Sequence, residues 1–155
     1  MTADVSESRP PTRVLLDTNT LVAVSDPSRT NHSAANAVVN QWPAQGTTLH
    51  TTTQVIREYL VVATRPDEVS GLGLSMDEAL SNVVTFRARI EVLEESRSTL
   101  DRLVELITTT SCPGKQIHDA NIVATMLTHG IGSLVTDNVR DFARFGDQIE
   151  VIPLR

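Results

Sequence analysis

Short apolar runs recur along this chain, each followed by a stretch whose apolar residues return at helical spacing, and that alternation is the strongest constraint on its fold. "RVLL" (Arg13 to Leu16) has the character of a buried strand. Asp17 interrupts it, and "TLVAV" resumes as a helix capped by Thr18 or Asn19. "TNHSAANAVVNQWP" spaces Ala34, Ala35, Val38, Val39 and Trp42 as a helix ended by Pro43, and "TTLHT" (Thr47 to Thr51) is a second, weaker strand. Thr51 to Thr53 offer caps for the helix "QVIREYLVVATR", stopped before Pro66, and Ser75 with Glu78 has capping-box spacing at the head of "SMDEALSNVVTFRAR". "IEVLEE" reads as a third strand and "STLDRLVELITTT" as a helix. "GKQIHDANIVATMLTHG" is the best-marked helix, bounded by Pro113-Gly114 and Gly130. "GSLVTD", "VRDFARF" and "IEVIP" close the chain as strand, short helix and strand. Such alternation predicts an α/β domain around a small, mostly parallel sheet. The 155 residues suit one domain, which we place at residues 13–155 behind a flexible N-terminal tail of residues 1–12.

Charge narrows the function. With 19 Asp and Glu against 13 Lys and Arg, the formal net charge is −6, the wrong sign for a protein that holds nucleic acid by neutralising phosphates alone. A polyanionic substrate would need local help from divalent cations or a basic partner. No segment approaches the ~20 uninterrupted apolar residues of a membrane span. "MTADVSESRPPT" lacks the apolar run of a signal peptide and the Arg-rich, acid-poor character of a transit peptide. A cytoplasmic protein with no membrane partner is the expectation. The single Cys112 excludes an internal disulfide and a cysteine zinc cluster, and is expected as a small loop or core residue. His32, His50, His118 and His129 are scattered, without zinc-ligand spacing. The Gly-rich "DEVSGLGLS" follows a helix and lacks the Gly-Lys-Ser/Thr ending of a phosphate loop, so it is expected as a flexible connection.

The acids stand in unusual places. Open α/β sheets carry their functional crevice at the carboxyl ends of strands, where Asp17 and Asp137 both fall. In "KQIHDANIVATML", with Asp119 at zero and about 100° per residue, Ile122, Met126, Val123, Leu127, Ala120, Ala124 and Ile117 fill one arc that contains Asp119. His118, Asn121, Thr125, Thr128 and His129 take the polar side, so Asp119 faces inward although a solvent face was available. Glu58 sits at the edge of the apolar face of its helix, between Val61 and Val62 with Val55. Each acid alone also suits a cap, a turn, a salt bridge or a solvated helix edge. Four acids directed to one cavity raise one another's pKa unless something positive lies between them. Mg²⁺ or Mn²⁺ answers this, since both take oxygen ligands and keep several waters.

"LLDTNTLV", the Glu of "TTTQVIREYL", the Asp of "IHDANIVATML" and the closing "LVTDNVRDF" resemble, in order and spacing, the four acidic motifs of PIN-domain ribonucleases, in particular VapC-type toxins of bacterial toxin–antitoxin pairs. The resemblance runs from about Val14 to Pro153. It implies a PIN-like α/β/α sandwich, a Mg²⁺- or Mn²⁺-dependent endoribonuclease, a homodimer, and inhibition by a cognate VapB-type antitoxin. By position Asp17, Glu58 and Asp119 match the first three acids. Asp137, directly after the strand, is the favoured fourth, with Asn138 and Asp141 also within reach of the register and Asp141 in reserve. Thr18 and Asn19 match the polar residues after the first acid, and Thr136 resembles a hydroxyl that supports the site. The resemblance further implies that Asp17 and Asp119 hold the metal, that Glu58 and Asp137 complete a second position or act through water, and that cleavage leaves a 5′-phosphate and a 3′-hydroxyl. Arg57, Arg65 and Lys115 are basic residues available to RNA.

Two other readings stand beside this one. "DTNTL" also resembles the haloacid dehalogenase phosphatase motif, but Asn19 occupies the place of its acid/base Asp. The acids could also serve a catalytically inactive PIN-like scaffold that binds a protein partner.

Overall fold

Val14, Leu15 and Leu16 are fully buried, and they make the first strand the middle of the sheet. In the computed structural model, which describes residues 9–155, β1 (Arg13–Leu16) is flanked by β2 (Thr48–Thr52) and β4 (Ser133–Thr136). β3 (Glu91–Leu93) and β5 (Glu150–Pro153) form the edges. The order is β3-β2-β1-β4-β5 and every pairing is parallel, with Leu15 opposite both His50 and Leu134. A parallel sheet must be covered on both faces, which is why its central strands are apolar throughout rather than alternating.

The helices are α1 (Thr18–Ser25), α2 (His32–Asn36), α3 (Thr53–Thr64), α4 (Met76–Arg87), α5 (Arg97–Thr109), α6 (Gln116–Thr128) and α7 (Val139–Phe142). From β1 the chain steps to β2 and β3, then returns across the sheet to β4 and β5. Right-handed crossovers therefore place α1 to α4 on one face and α5 to α7 on the other. This is the expected α/β/α arrangement. The strand order reverses between β1 and β4, which makes their carboxyl ends the crevice of the fold. On the first face Tyr59 is fully buried, its ring edge-on to Phe86 with centroids 5.0 Å apart. Its hydroxyl meets Ser25 Oγ at 2.8 Å and accepts from Asn82 Nδ2 at 2.9 Å, so one side chain joins α1, α3 and α4.

Local details depart from the sequence pattern for identifiable reasons. Asp17 itself caps α1, accepting from the Thr18 backbone N–H, so neither Thr18 nor Asn19 is the cap. The expected helix ending at Pro43 is α2 followed by a wider turn over Ala37–Gln41, where Trp42 N–H reaches Ala37 O. Thr125, assigned to the polar side of α6, is buried because its hydroxyl donates to Asn121 O within the helix. Ile117, assigned to the apolar arc, is 38% exposed in the first turn. The Gly-rich stretch is tied down rather than a free connection. Leu72, Gly73 and Leu74 N–H groups donate to Val62, Arg65 and Ala63 carbonyls, and a Cβ on Gly71 would stand 1.9 Å from Arg65 O.

Of the expected tail, residues 1–8 lie outside the described residues. Pro11 and Thr12 carbonyls accept from Thr47 Oγ1 and Thr48 N–H, each at 2.8 Å, so the chain is already fastened to β2 before Arg13. Cys112 is buried. Among the described residues no helix is long and apolar enough to cross a membrane.

Candidate active site

The carboxyl ends of β1 and β4 lie side by side, and the first acid is built there. Asp17 is 5% exposed. Its Oδ1 accepts from Thr18 N–H at 2.8 Å, and its Oδ2 from Thr136 Oγ1 at 2.7 Å and Asn19 Nδ2 at 3.3 Å. Burial pushes the Asp17 carboxyl above its ordinary range, against the opposing pull of those three donors. Thr136 spends its whole hydrogen-bonding capacity here: besides donating to Asp17, it accepts from Asn138 N–H at 3.0 Å and Asn19 Nδ2 at 3.2 Å. Asn19 completes a buckle across the two strand ends by accepting from Asp137 N–H at 3.0 Å.

The other acids arrive from both faces of the sheet. Glu58, in the second turn of α3, accepts from Thr18 Oγ1 and from Gln54 Nε2, each at 2.9 Å. Asp119, in the first turn of α6, is half-buried, and among the described residues no hydrogen-bond donor reaches its carboxylate. Its pKa is pushed up to about 6, by burial first and then by the charges of Asp17, Asp141 and Glu58; only Arg144 pulls the other way. Asp17, Glu58 and Asp119 line one open cleft of about 280 Å³, with Thr18, Asn19 and Asn138.

Asp137, favoured from the sequence for the fourth position, does not line this cleft. Thr136 turns its side chain to Asp17, so the next residue along the extended chain turns away. Asp137 is exposed and lines a different depression, with Asn31 and Leu154, while Asn138 comes back to the cleft. Asp141, from α7, bears on Asp119 through its charge. Of the basic residues expected near RNA, Arg65 lines the cleft, whereas Arg57 and Lys115 do not.

Several contributors carried no local signal. Gln54 is buried. It donates to Glu58 and to His118 O and accepts from Asn121 Nδ2 at 2.7 Å, fixing α3 against the first turns of α6. Gln54 stands one helical turn before Glu58, a spacing that places both on one face. Arg144 donates to Ser111 O at 2.9 Å and to Gln116 Oε1, which brings its charge toward Asp119. Arg29 also lines the cleft.

The donor set suits a hard divalent cation. The three acids in the cleft offer carboxylate oxygens, two of them have raised pKa values, and among the described residues no cationic side chain is paired with Asp17, Glu58 or Asp119. Among the described residues no three His, Cys, Asp or Glu side chains stand close enough to cage a metal by themselves. That looseness is compatible with an ion that keeps several of its waters.

The family model of the PIN domain matches residues 14–148. This chain belongs to the PIN-domain family. The PIN fold is seen equally in solved structures that it resembles at low identity. One is the Rickettsia felis VapBC2 complex bound to a promoter DNA fragment, with a TM-score of 0.65 and 16% identity over 91% of this chain and 98% of that one. DNA-bound VapBC from Salmonella typhimurium gives a TM-score of 0.64 at 19% identity, covering 92% and 98%. Mycobacterium tuberculosis VapC20, described as a sarcin-ricin loop cleaving toxin, gives 0.64 at 14%, covering 84% and 93%. No curated protein matches this PIN domain in sequence.

Proposed function

We propose that this PIN-domain protein is a VapC-type toxin, a Mg²⁺- or Mn²⁺-dependent endoribonuclease that works as a homodimer and is held in check by a VapB-type antitoxin. The observation that carries the reading is the convergence of Asp17, Glu58 and Asp119, from a strand end and from helices on opposite faces, on one cleft with no paired cation among the described residues. The solved VapBC complexes that share the fold support the antitoxin part of the proposal.

Asp17 and Asp119 would hold the ion, which when bound supplies a water of lowered pKa and neutralises charge on the phosphoryl oxygens. The three donors on Asp17 fix its rotamer before substrate arrives, so no reorganisation is needed at the moment of reaction. Glu58 has one donor on each oxygen and keeps acceptor capacity with which to orient the attacking water and receive its proton. Asn138 offers an amide to the substrate from the β4 side, and Asp141 acts through its charge on Asp119. The acidic cleft also suits a basic antitoxin segment, whose arginine could pair with Asp17 and Asp119.

Incubation of the purified protein with single-stranded RNA and Mg²⁺ or Mn²⁺, resolved on a denaturing gel, tests the reading. Cleavage should give 5′-phosphate ends and disappear in Asp17→Asn and Asp119→Asn, both of which should stay folded. Full activity in either variant, or no cleavage by the parent with either ion, would overturn it.

A further inference from the structure

We propose that Arg29 and Arg65 form a phosphate-binding rim that carries the RNA strand away from the acids along the groove between α1 and α3. The proposal rests on the ribonuclease reading above and adds the path and direction of the substrate. The cleft carries both signs of charge: Asp17, Glu58 and Asp119 line it together with Arg29, Arg65, Val22 and Val62. Helix geometry orders them. Along α3, Glu58, Val62 and Arg65 are spaced by four and three residues on one face, so the arginine stands about 10 Å beyond the acid. Along α1 and the turn after it, the order Asp17, Val22, Arg29 repeats the same progression.

Both arginines are held without being consumed. Arg29 Nε is 3.3 Å from Asp26 Oδ2, which steadies the stem and leaves its two terminal nitrogens for a bidentate oxyanion. Arg65 is anchored through its backbone: Gly73 N–H donates to its carbonyl at 2.9 Å, and Gly71 packs against that carbonyl so closely that no side chain fits. One terminal nitrogen of Arg65 reaches Ser70 O at 3.5 Å, and its Nε is buried without a hydrogen-bond partner among the described residues. Neither guanidinium is within salt-bridge distance of Asp17, Glu58 or Asp119. Cations placed to neutralise the acids would touch them. These stand off along the groove, where the phosphates flanking a scissile bond would lie. A chain of net charge −6 has no general attraction for a polyanion, so local guanidinium groups must supply it.

The test is binding of a fluorescein-labelled single-stranded oligoribonucleotide, with Ca²⁺ in place of Mg²⁺, followed by anisotropy over a range of KCl concentrations. Arg29→Gln and Arg65→Gln keep the stems and should each weaken binding several-fold and lower the slope of log K against log salt by about 0.7, the single-strand value per phosphate contact. Thermal melting checks that each variant is folded. An oligonucleotide with a neutral methylphosphonate at the flanking position should lose affinity with the parent but lose no more with the matching variant. A merely structural arginine would not produce that non-additivity. Unchanged slopes and fully additive losses in folded variants would overturn the rim while leaving the ribonuclease reading intact. Failure of the parent to bind RNA at all would overturn both.

Discussion

Thr136 donates its hydroxyl to Asp17 Oδ2 at 2.7 Å, joining the carboxyl ends of β1 and β4 where the strand order reverses. Thr136 Oγ1 also accepts from Asn138 N–H and Asn19 Nδ2, so three groups depend on one side chain. Thr136→Val keeps the shape and removes all three bonds. Urea unfolding at pH 7 should show a loss of about 1–3 kcal/mol, with RNA cleavage lowered because Asp17 loses its strongest donor. A variant as stable and as active as the parent would show that the buckle does not position Asp17.

Asp119 carries a pH signature. Its folded pKa of about 6 exceeds the ordinary 3.8, so between these values the folded state holds a proton that the unfolded state has released. Stability therefore falls as pH rises from about 4 to about 6, and stays reduced above. Asp119→Asn should flatten that slope and, in EDTA at pH 7.5, melt higher than the parent, by about 1 kcal/mol once solvent screening of a half-exposed carboxylate is allowed for. Adding Mg²⁺ should raise the melting temperature of the parent more than that of the variant. Equal pH profiles for the two proteins would contradict the assignment.

Asp17 and Asp119 could be read from sequence because each breaks a local pattern, an apolar strand in one case and an apolar helical arc in the other. Periodicity also sufficed for the strands and the crossover helices, since a parallel sheet demands apolar runs that a short window reveals. Asp137 and Asn138 could not be told apart from the sequence because the pleat at a strand end decides which of two adjacent residues faces the crevice, and one residue of register reverses the answer. Gln54, Asn121, Arg29 and Arg144 were not visible because their partners come from other elements, and no local pattern says which helices become neighbours.

Gly71 is the point where the Gly-rich stretch meets the end of α3. A Cβ there would lie 1.9 Å from Arg65 O and 2.4 Å from Arg65 C, both backbone atoms that cannot swing aside. Gly71→Ala should therefore cost about 1–3 kcal/mol or more in chemical denaturation, as overpacking does. It should also weaken RNA binding by displacing Arg65. Gly73→Ala meets nothing closer than 3.7 Å but sits at φ +61, so its smaller cost should come from backbone strain with little effect on Arg65. Equal losses for the two variants would refute the distinction.

His50 gives an opposing pH slope from the middle of β2. It is 2% exposed, and neither ring nitrogen has a hydrogen-bond partner among the described residues. Glu91 Oε2 lies 3.3 Å from Nδ1 without hydrogen-bond geometry, on the exposed edge strand. Burial lowers the His50 pKa below its ordinary 6.5. Glu91 opposes that shift, while the charges of Arg13 and His129 reinforce it. The unfolded chain then binds a proton that the folded protein refuses, so this contribution is complete above about pH 6.5 and is lost as the pH falls. Between about pH 4 and 6 the slope from Asp119 runs the other way, so the two contributions partly cancel where they overlap. His50→Leu should reduce the acid-side loss of stability between pH 6.5 and 5 and leave the Asp119 slope exposed, whereas Asp119→Asn should steepen the acid-side loss. Chemical denaturation across this range separates them, and parallel profiles for parent and His50→Leu would rule out a titrating His50 as the cause.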